Sequence, residues 1–282
     1  MKPKQFLFLT LFILLSCNPS NRLKIIADVP SSLEEVSGTE SVASSPYLWM
    51  VNDSGNKPRL FAVSTDGKIE KTLKINAKNH DWEDLTTDDD GNIYIGDFGN
   101  NANKRQNLAI LKVSKDSLNN SGKIDVERIR FSFEDQTKFP PKKKKLYFDC
   151  EAFFYHNNHF YLFTKSRVKH DFGRTNMYKI PATRGNHTAE LIYSFTTCSD
   201  LSCWITSADM SADGKQVVLL TSNQVWVFSN FEDDNFFSGT VQTIDLGFES
   251  QKESICFYND NTLIITDESA HGEGGNVYEL KL

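Results

Sequence analysis

Along most of this chain apolar and polar residues alternate with a period of two over short runs. Clusters of Asp, Asn and Gly separate the runs, which is the pattern of β-hairpins. The stretch Lys78–Asn101 shows the plan: an acidic knot (Asp81, Glu83, Asp84), a turn (Asp88–Gly91), an apolar strand around Ile93 and Ile95, and a second polar knot at Asp97. The same plan recurs from Glu35 (ending at Asp53), Glu151 (Lys165), Thr206 (Thr221) and Glu253 (Asp267). Self-similar units spaced roughly 40–50 residues apart mark a propeller or another repeat array. Helical periodicity is nearly absent, and only 105–117 has room for a turn or two of helix.

The pattern predicts these strands. Unit one takes Glu35–Gly38, Tyr47–Asn52, Arg59–Ser64 and Ile69–Ile75; unit two takes Trp82–Thr86, Asn92–Gly96, Leu108–Val113 and Val126–Phe133. Unit three takes Cys150–Tyr155, Phe160–Thr164, Asn176–Ile180 and Leu191–Phe195; unit four takes Thr206–Met210, Gln216–Thr221, Val225–Ser229 and Val241–Leu246. A fifth shows only Glu253–Phe257, Thr262–Thr266 and Val277–Lys281, and Leu23–Val29 is free to supply its missing strand. Closing a ring with strands from both chain ends buries edges that would otherwise stay open. The expectation is an all-β propeller of five blades, or six if 165–200 holds an irregular blade, closed by an N-terminal strand.

The first residues change the picture of where the protein works. MKPKQFLFLTLFILLSC puts two lysines ahead of a short apolar run, the layout of a secretory signal rather than a membrane span. Leu14-Leu15-Ser16-Cys17 resembles a bacterial lipobox, which implies cleavage before Cys17 and a lipid on that cysteine. The domains expected are a lipoprotein signal over 1–17, a tether over 18–22 and a single propeller over 23–282. Asn18 after the cysteine argues against retention in the inner membrane, so the expected address is the bacterial cell envelope, lipid-anchored at the outer membrane. The bilayer contact is through Cys17 only.

Composition supports a sheet protein, with 21 Phe and 9 Tyr. A net charge of -6 argues against nucleic acid as a partner. The basic run Lys142–Lys145 reads as a solvated inter-blade loop. Cys198 and Cys203 are spaced to close a small loop in an oxidising compartment, while Cys150 and Cys256 read as small buried apolar residues. No zinc-ligand spacing occurs among the Cys and His residues, and no Gly-x-Ser-x-Gly elbow is present.

Propeller geometry turns the repeat into a candidate site. Glu35, Glu83, Glu151 and Glu253 would ring one mouth of the channel, with Thr206 in the fifth place. Asp53, Asp97, Lys165, Thr221 and Asp267 would form a wider ring, with Asp84, Asp149 and Asp209 nearby. Converging carboxylates repel one another, and a hard divalent cation, Ca²⁺ or another, is the simplest compensation. The four glutamates are the candidate metal ligands. Asp53, Trp82, Asp84, Asp149 and Asp209 are candidate binding residues, with Trp82 read as an exposed aromatic. The competing reading is that these acids accept backbone N–H groups and pin blade to blade. Lys165, the one cation in this set, would pair with Glu151 or face an anionic group.

EVSG with WMVNDSG, DWEDL with YIGDFGNN, DCEAF with FTK, TSADMSADG, and ESICFYND with TDE resemble a family of exported bacterial WD40-like propeller lipoproteins. More distantly the plan resembles the esterase-like phytase and SMP-30/gluconolactonase propellers. The second of these implies an axial divalent metal that hydrolyses lactones or phosphoesters. The chain departs from that pattern in showing five repeats rather than six, and in Thr206. Two function classes follow. One is a lipid-anchored binding or scaffold propeller, holding an envelope protein, glycan or small ligand at its mouth or at the loop 271–276. The other is a metal-dependent hydrolase of ester, lactone or phosphoester bonds, with Asp97 or Asp267 as base and Lys165 beside them. No nucleotide cofactor is expected, and the protein is expected to be a monomer.

Overall fold

A computed structural model describes residues 23–43, 45–270 and 273–282. The signal segment, Cys17 and the tether lie outside the described residues, as do positions 271 and 272 of the glycine-rich loop.

Strand β1 (Leu23–Asp28) stands apart from the first repeat and is placed below. The first unit comprises β2 (Val36–Ser41), β3 (Leu48–Asn52), β4 (Arg59–Val63) and β5 (Ile69–Ile75). The second begins with β6 (Trp82–Thr87), β7 (Ile93–Asp97) and β8 (Ala109–Val113). Between β8 and its last strand lies β9 (Lys123–Ile124), which pairs in parallel with β5; β10 (Glu127–Phe133) then completes the unit. The third has β11 (Asp149–His156), β12 (His159–Lys165), β13 (Arg174–Pro181) and β14 (Gly185–Thr196), so 174–196 forms its two outer strands. The fourth has β15 (Ser207–Met210), β16 (Gln216–Leu220), β17 (Gln224–Ser229) and β18 (Thr240–Asp245). The last has β19 (Lys252–Asn259) and β20 (Thr262–Asp267), a small ribbon of β21 (Ser269–Ala270) and β22 (Glu273–Gly274), and β23 (Asn276–Lys281). β1 pairs with β23 and completes this sheet from the other end of the chain. Within 105–117 the chain is strand at 109–113, followed by a single 3₁₀ turn at Lys115–Asn119.

The innermost strands β2, β6, β11, β15 and β19 each touch the next, and β19 touches β2, which closes the ring. Apolar cores lie between neighbouring sheets. One joins the first unit to the second (Trp49, Val51, Leu73 with Trp82, Leu85, Ile95), and another joins the last to the first (Cys256, Ile264, Val277 with Val36, Met50, Phe61). An inner sheet is therefore covered on both faces. That is why β3 and β7 are buried at every position and read as continuous apolar runs, whereas β10 at the periphery alternates. The architecture is a β-propeller.

Two local devices set up the channel. The first is a register shift near the start of four inner strands, between Val36 and Gly38, Trp82 and Leu85, Cys150 and Ala152, and Lys252 and Ser254. A bulge leaves its extra residue out of the ladder and re-aims that side chain. The bulged residues include Ser37, Glu83, Glu151 and Glu253. The second device is a set of side-chain pins between inner strands, which do not pair as a ladder. Asp84 accepts the Phe153 N–H at 3.3 Å, Thr86 the Tyr155 N–H at 3.1 Å, Ser207 the Ile255 N–H at 3.0 Å, Asp209 the Phe257 N–H at 2.7 Å, and Ser254 the Thr39 N–H at 2.6 Å. Gly38 occupies the corresponding place between the first and second units. A Cβ there would lie 2.9 Å from the Asp84 carbonyl carbon and the Leu85 nitrogen, so β2 reaches β6 only without a side chain. Cys198 and Cys203 are bonded, and Cys150 and Cys256 are free and buried.

Candidate functional site

The pins align the repeats by structure. Residue n+1 of one unit accepts from residue n+2 of the next, which places Ser37, Glu83, Glu151, Thr206 and Glu253 in equivalent positions. The two hydroxyls behave alike: Ser37 Oγ donates to the Trp82 carbonyl at 2.8 Å, and Thr206 Oγ1 donates to the Lys252 carbonyl at 2.7 Å. Glu35 is thus not the ring member expected from the sequence. It lies two residues too early, exposed, accepting a hydrogen bond from Asn56.

The mouth divides by charge. On one side Asp53, Asp81 and Glu83 each bring a carboxylate oxygen within 4.8 Å of the others. None of the three forms an ion pair among the described residues. Burial pushes Asp53 up to about 6, with Asp81 and Glu253 adding to the shift and the Ser54 N–H opposing it. Burial also raises Asp81, and it raises Glu83 well above the carboxylate range, reinforced by Glu151, Asp53 and Asp81. Gly99 makes this convergence possible, because a Cβ there would collide with Glu83 Oε1 and lie 2.6 Å from Asp81 Oδ2. Three hard carboxyl oxygens gathered with no ion pair among the described residues, and holding their protons for want of a close counter-charge, fit a divalent cation that would take the protons' place.

The neighbouring side, in the third unit, is already neutralised. Lys165 Nζ meets Glu151 Oε2 at 2.7 Å, and Arg167 meets Asp149 at 2.6 Å and Glu151 at 3.6 Å. Trp204 backs both cations, 4.5 Å from the Arg167 guanidinium carbon and 5.4 Å from Lys165 Nζ, measured to the ring centroid. Asp149 also accepts the Asn100 N–H at 2.8 Å. Glu151 and Asp149 therefore serve ion pairs rather than an open metal or ligand position. Lys165 takes the first of its two expected roles, and it is not the sole cation, since Arg167 joins it.

Glu253 makes no hydrogen bond among the described residues. Burial raises its carboxyl, opposed by Lys165 and Arg167. Beside it, burial and then the charges of Glu253, Asp53 and Glu35 push Glu268 up to about 8. Lys252 is fully buried, and its ammonium donates to the Ser222 and Phe248 carbonyls and to Ser250 Oγ at 2.9–3.1 Å. Burial pushes it down to about 8, opposed by Asp267 and Glu249. The sequence reading missed Arg167, Lys252 and Glu268. The only signal for each was a charged residue within two places of a repeat landmark.

Several other expectations are corrected by burial. Trp82 is not an exposed aromatic. It is fully buried between the first two units, its backbone N–H donating to Asn79 Oδ1. Asp84 is fully buried and is a pin, also bonded by Ser207 Oγ. Asp209 is a pin at the far end of the channel. Neither Asp97 nor Asp267 is placed as a free base. Asp97 holds Arg105 at 2.9 Å and His80 at 2.8 Å, while Asp267 accepts from Ser250, Tyr278 and the Asn276 N–H and is fully buried. The competing sequence reading of acids as pins thus fits Asp84 and Asp209, and Asp53, Asp81 and Glu83 remain as the uncommitted cluster.

No protein-family model matches the chain, and no curated protein does. Solved structures do resemble it. A protein of unknown function from Bacteroides thetaiotaomicron aligns over 92% of this chain and 75% of its own at 11% identity, with a TM-score of 0.52. The PQQ-bound aldose sugar dehydrogenase of Streptomyces coelicolor aligns over 92% and 97% at 9% identity, with a TM-score of 0.51. Virginiamycin B lyase from Staphylococcus aureus, solved as a catalytically inactive variant with quinupristin, aligns over 88% of this chain and 66% of its own at 13% identity, with a TM-score of 0.42. At such identities the likeness concerns the fold alone, which is that of a β-propeller.

Proposed function

We propose that this protein is a binding propeller of the bacterial envelope, anchored by a lipid on Cys17, whose mouth holds a divalent cation on Asp53, Asp81 and Glu83. The observation that carries the reading is the convergence of those three carboxylates, none of them in an ion pair among the described residues. Ca²⁺ is the first candidate, because three carboxylates from two segments, the loop after β3 and the bulged start of β6, suit an ion that accepts many oxygens in loose geometry. The bound ion would pin the loops after β3 and before β6 and present an open coordination position at the channel axis. An envelope partner, glycan or small anionic ligand would engage there, beside Lys165 and Arg167.

The binding reading stands ahead of a metal-dependent hydrolase of ester, lactone or phosphoester bonds. The two bases expected for a hydrolase, Asp97 and Asp267, spend their oxygens on other partners, which leaves only Glu253 and Glu268 of the mouth for that role. Calorimetric titration of Ca²⁺ and Mg²⁺ tests the proposal. One saturable site lost in Glu83→Gln supports it, and no heat from either ion sinks it. Turnover of a lactone or phosphoester that requires the ion would move the hydrolase ahead. Palmitate labelling that survives Cys17→Ser would remove the anchor.

A further inference from the structure

The other end of the channel differs in its lining from the mouth just described. The turns that close the inner hairpins surround a cavity of about 510 Å³ there. Its floor carries Glu40 and Asp209, which are 3% and 8% exposed. Glu40 Oε1 accepts the Ser41 N–H, but its second oxygen has no partner, and no cation pairs with Glu40 or Asp209 among the described residues. Three exposed acids of the rim, Asp89, Asp90 and Asp260, likewise form no ion pair. Two basic side chains line the cavity. Lys115 is exposed on the rim, and burial lowers the pKa of His156, which favours its neutral form. Tyr155 and Phe257 supply apolar wall.

A buried carboxyl with an unpaired oxygen, opening into a roomy cavity, is completed by a ligand that brings its own positive charge. A bare metal ion fits poorly. Among the described residues the only group of three acidic, His or Cys side chains with ligand atoms within 4.8 Å of one another lies at the opposite mouth. The cavity is also many times the roughly 30 Å³ share of a water molecule. We propose that this cavity binds a primary ammonium group on an aliphatic stem, with the ammonium at Glu40 and Asp209 and the stem against Tyr155 and Phe257. That chemistry comes from a free polyamine or from a lysine side chain of a partner. The proposal does not depend on the ion at the other mouth.

The test is calorimetric titration at fixed ionic strength with cadaverine, spermidine, Nα-acetyl-lysine methylamide and a lysine-containing peptide, using NaCl as the blank. Saturable amine binding is expected, weakened at least about tenfold in Glu40→Gln, the scale of one charge-assisted hydrogen bond. Glu83→Gln at the opposite mouth should leave it unchanged. A free diamine binding more tightly than the peptide names the polyamine as source, and the reverse order names a lysine side chain. If Glu40→Gln does not fold, the double variant Asp89→Asn/Asp90→Asn, confined to exposed positions, carries the test and should weaken binding severalfold. Absence of amine binding overturns the proposal. So does binding indifferent to Glu40→Gln in a folded protein, or, where that variant does not fold, to the double rim variant.

Discussion

Raising the pH from 5 to 8 in the presence of a chelator should destabilise this protein, and the buried carboxyls set the size of the effect. A carboxyl whose pKa is higher in the folded than in the unfolded chain holds its proton more tightly when folded. The stability it contributes is complete below the unfolded value and is lost as pH climbs through the folded value. Asp209 is held at about 7 against an ordinary 3.8, by burial opposed by the Phe257 and Met210 N–H groups. Over the interval from pH 5 to its folded value, roughly 2 pH units of that stabilisation are lost, which at about 1.36 kcal/mol per unit amounts to about 3 kcal/mol. Asp53, at about 6, and Glu268, at about 8, act in the same direction, though partial exposure to water reduces what each contributes. Whole domains are stable by only about 5–15 kcal/mol, so the loss is a large share. Lys252 acts oppositely above this range. Its folded pKa of about 8 lies below the ordinary 10.5, so stability recovers between those values and the minimum falls near pH 8. Urea unfolding followed by tryptophan fluorescence measures this as a lower midpoint at pH 8 with an unchanged slope. A midpoint equal or higher at pH 8 would refute the reasoning that these acids are buried without counter-charges.

The remaining predictions concern single side chains. Asp84→Ala leaves the Phe153 N–H and the Ser207 hydroxyl without their partner in the channel wall, and should cost about 2–5 kcal/mol in urea unfolding. Lys165→Met leaves Glu151 with only the longer contact to Arg167, and should destabilise by up to about 3 kcal/mol, the loss shrinking as pH falls because burial raises the Glu151 carboxyl and protonation removes the unpaired charge. Gly99→Ala puts a methyl group into the space of Glu83 and Asp81, and should abolish the Ca²⁺ response while near-UV dichroism stays native.

The strands were legible because sheets covered on both faces demand apolar runs at β3, β7 and β12, and because Asp-Asn-Gly turns mark where each hairpin closes. The partner for β23 was legible too, since Leu23–Asp28 had no other sheet to join. The channel was less so. Glu35 resembled the other repeat-starting acids in residue type, yet the bulge between Val36 and Gly38 puts Ser37 in their place. A shift of one or two residues changes which side chain faces the axis, and residue type alone does not locate a bulge. Asp97 and Asp267 carry no local sign that Arg105 and Tyr278 will claim them. Glu40 sits in an otherwise ordinary strand, and only the closed ring brings it to Asp209, 169 residues on (209 less 40).

The measurement that bears most directly on the account is a thermal melt with Ca²⁺ and then with EDTA, on the wild type and on Glu83→Gln. A ligand that binds only the folded state at about 100 times its dissociation constant stabilises by roughly 2.7 kcal/mol, a shift of roughly 5 °C or more for a chain of this size. The account predicts that shift in the wild type, its reversal by EDTA, and its loss in Glu83→Gln. A wild-type melt that Ca²⁺ and other divalent ions leave unmoved would contradict it, and Asp53, Asp81 and Glu83 would then be acids that share protons rather than an ion.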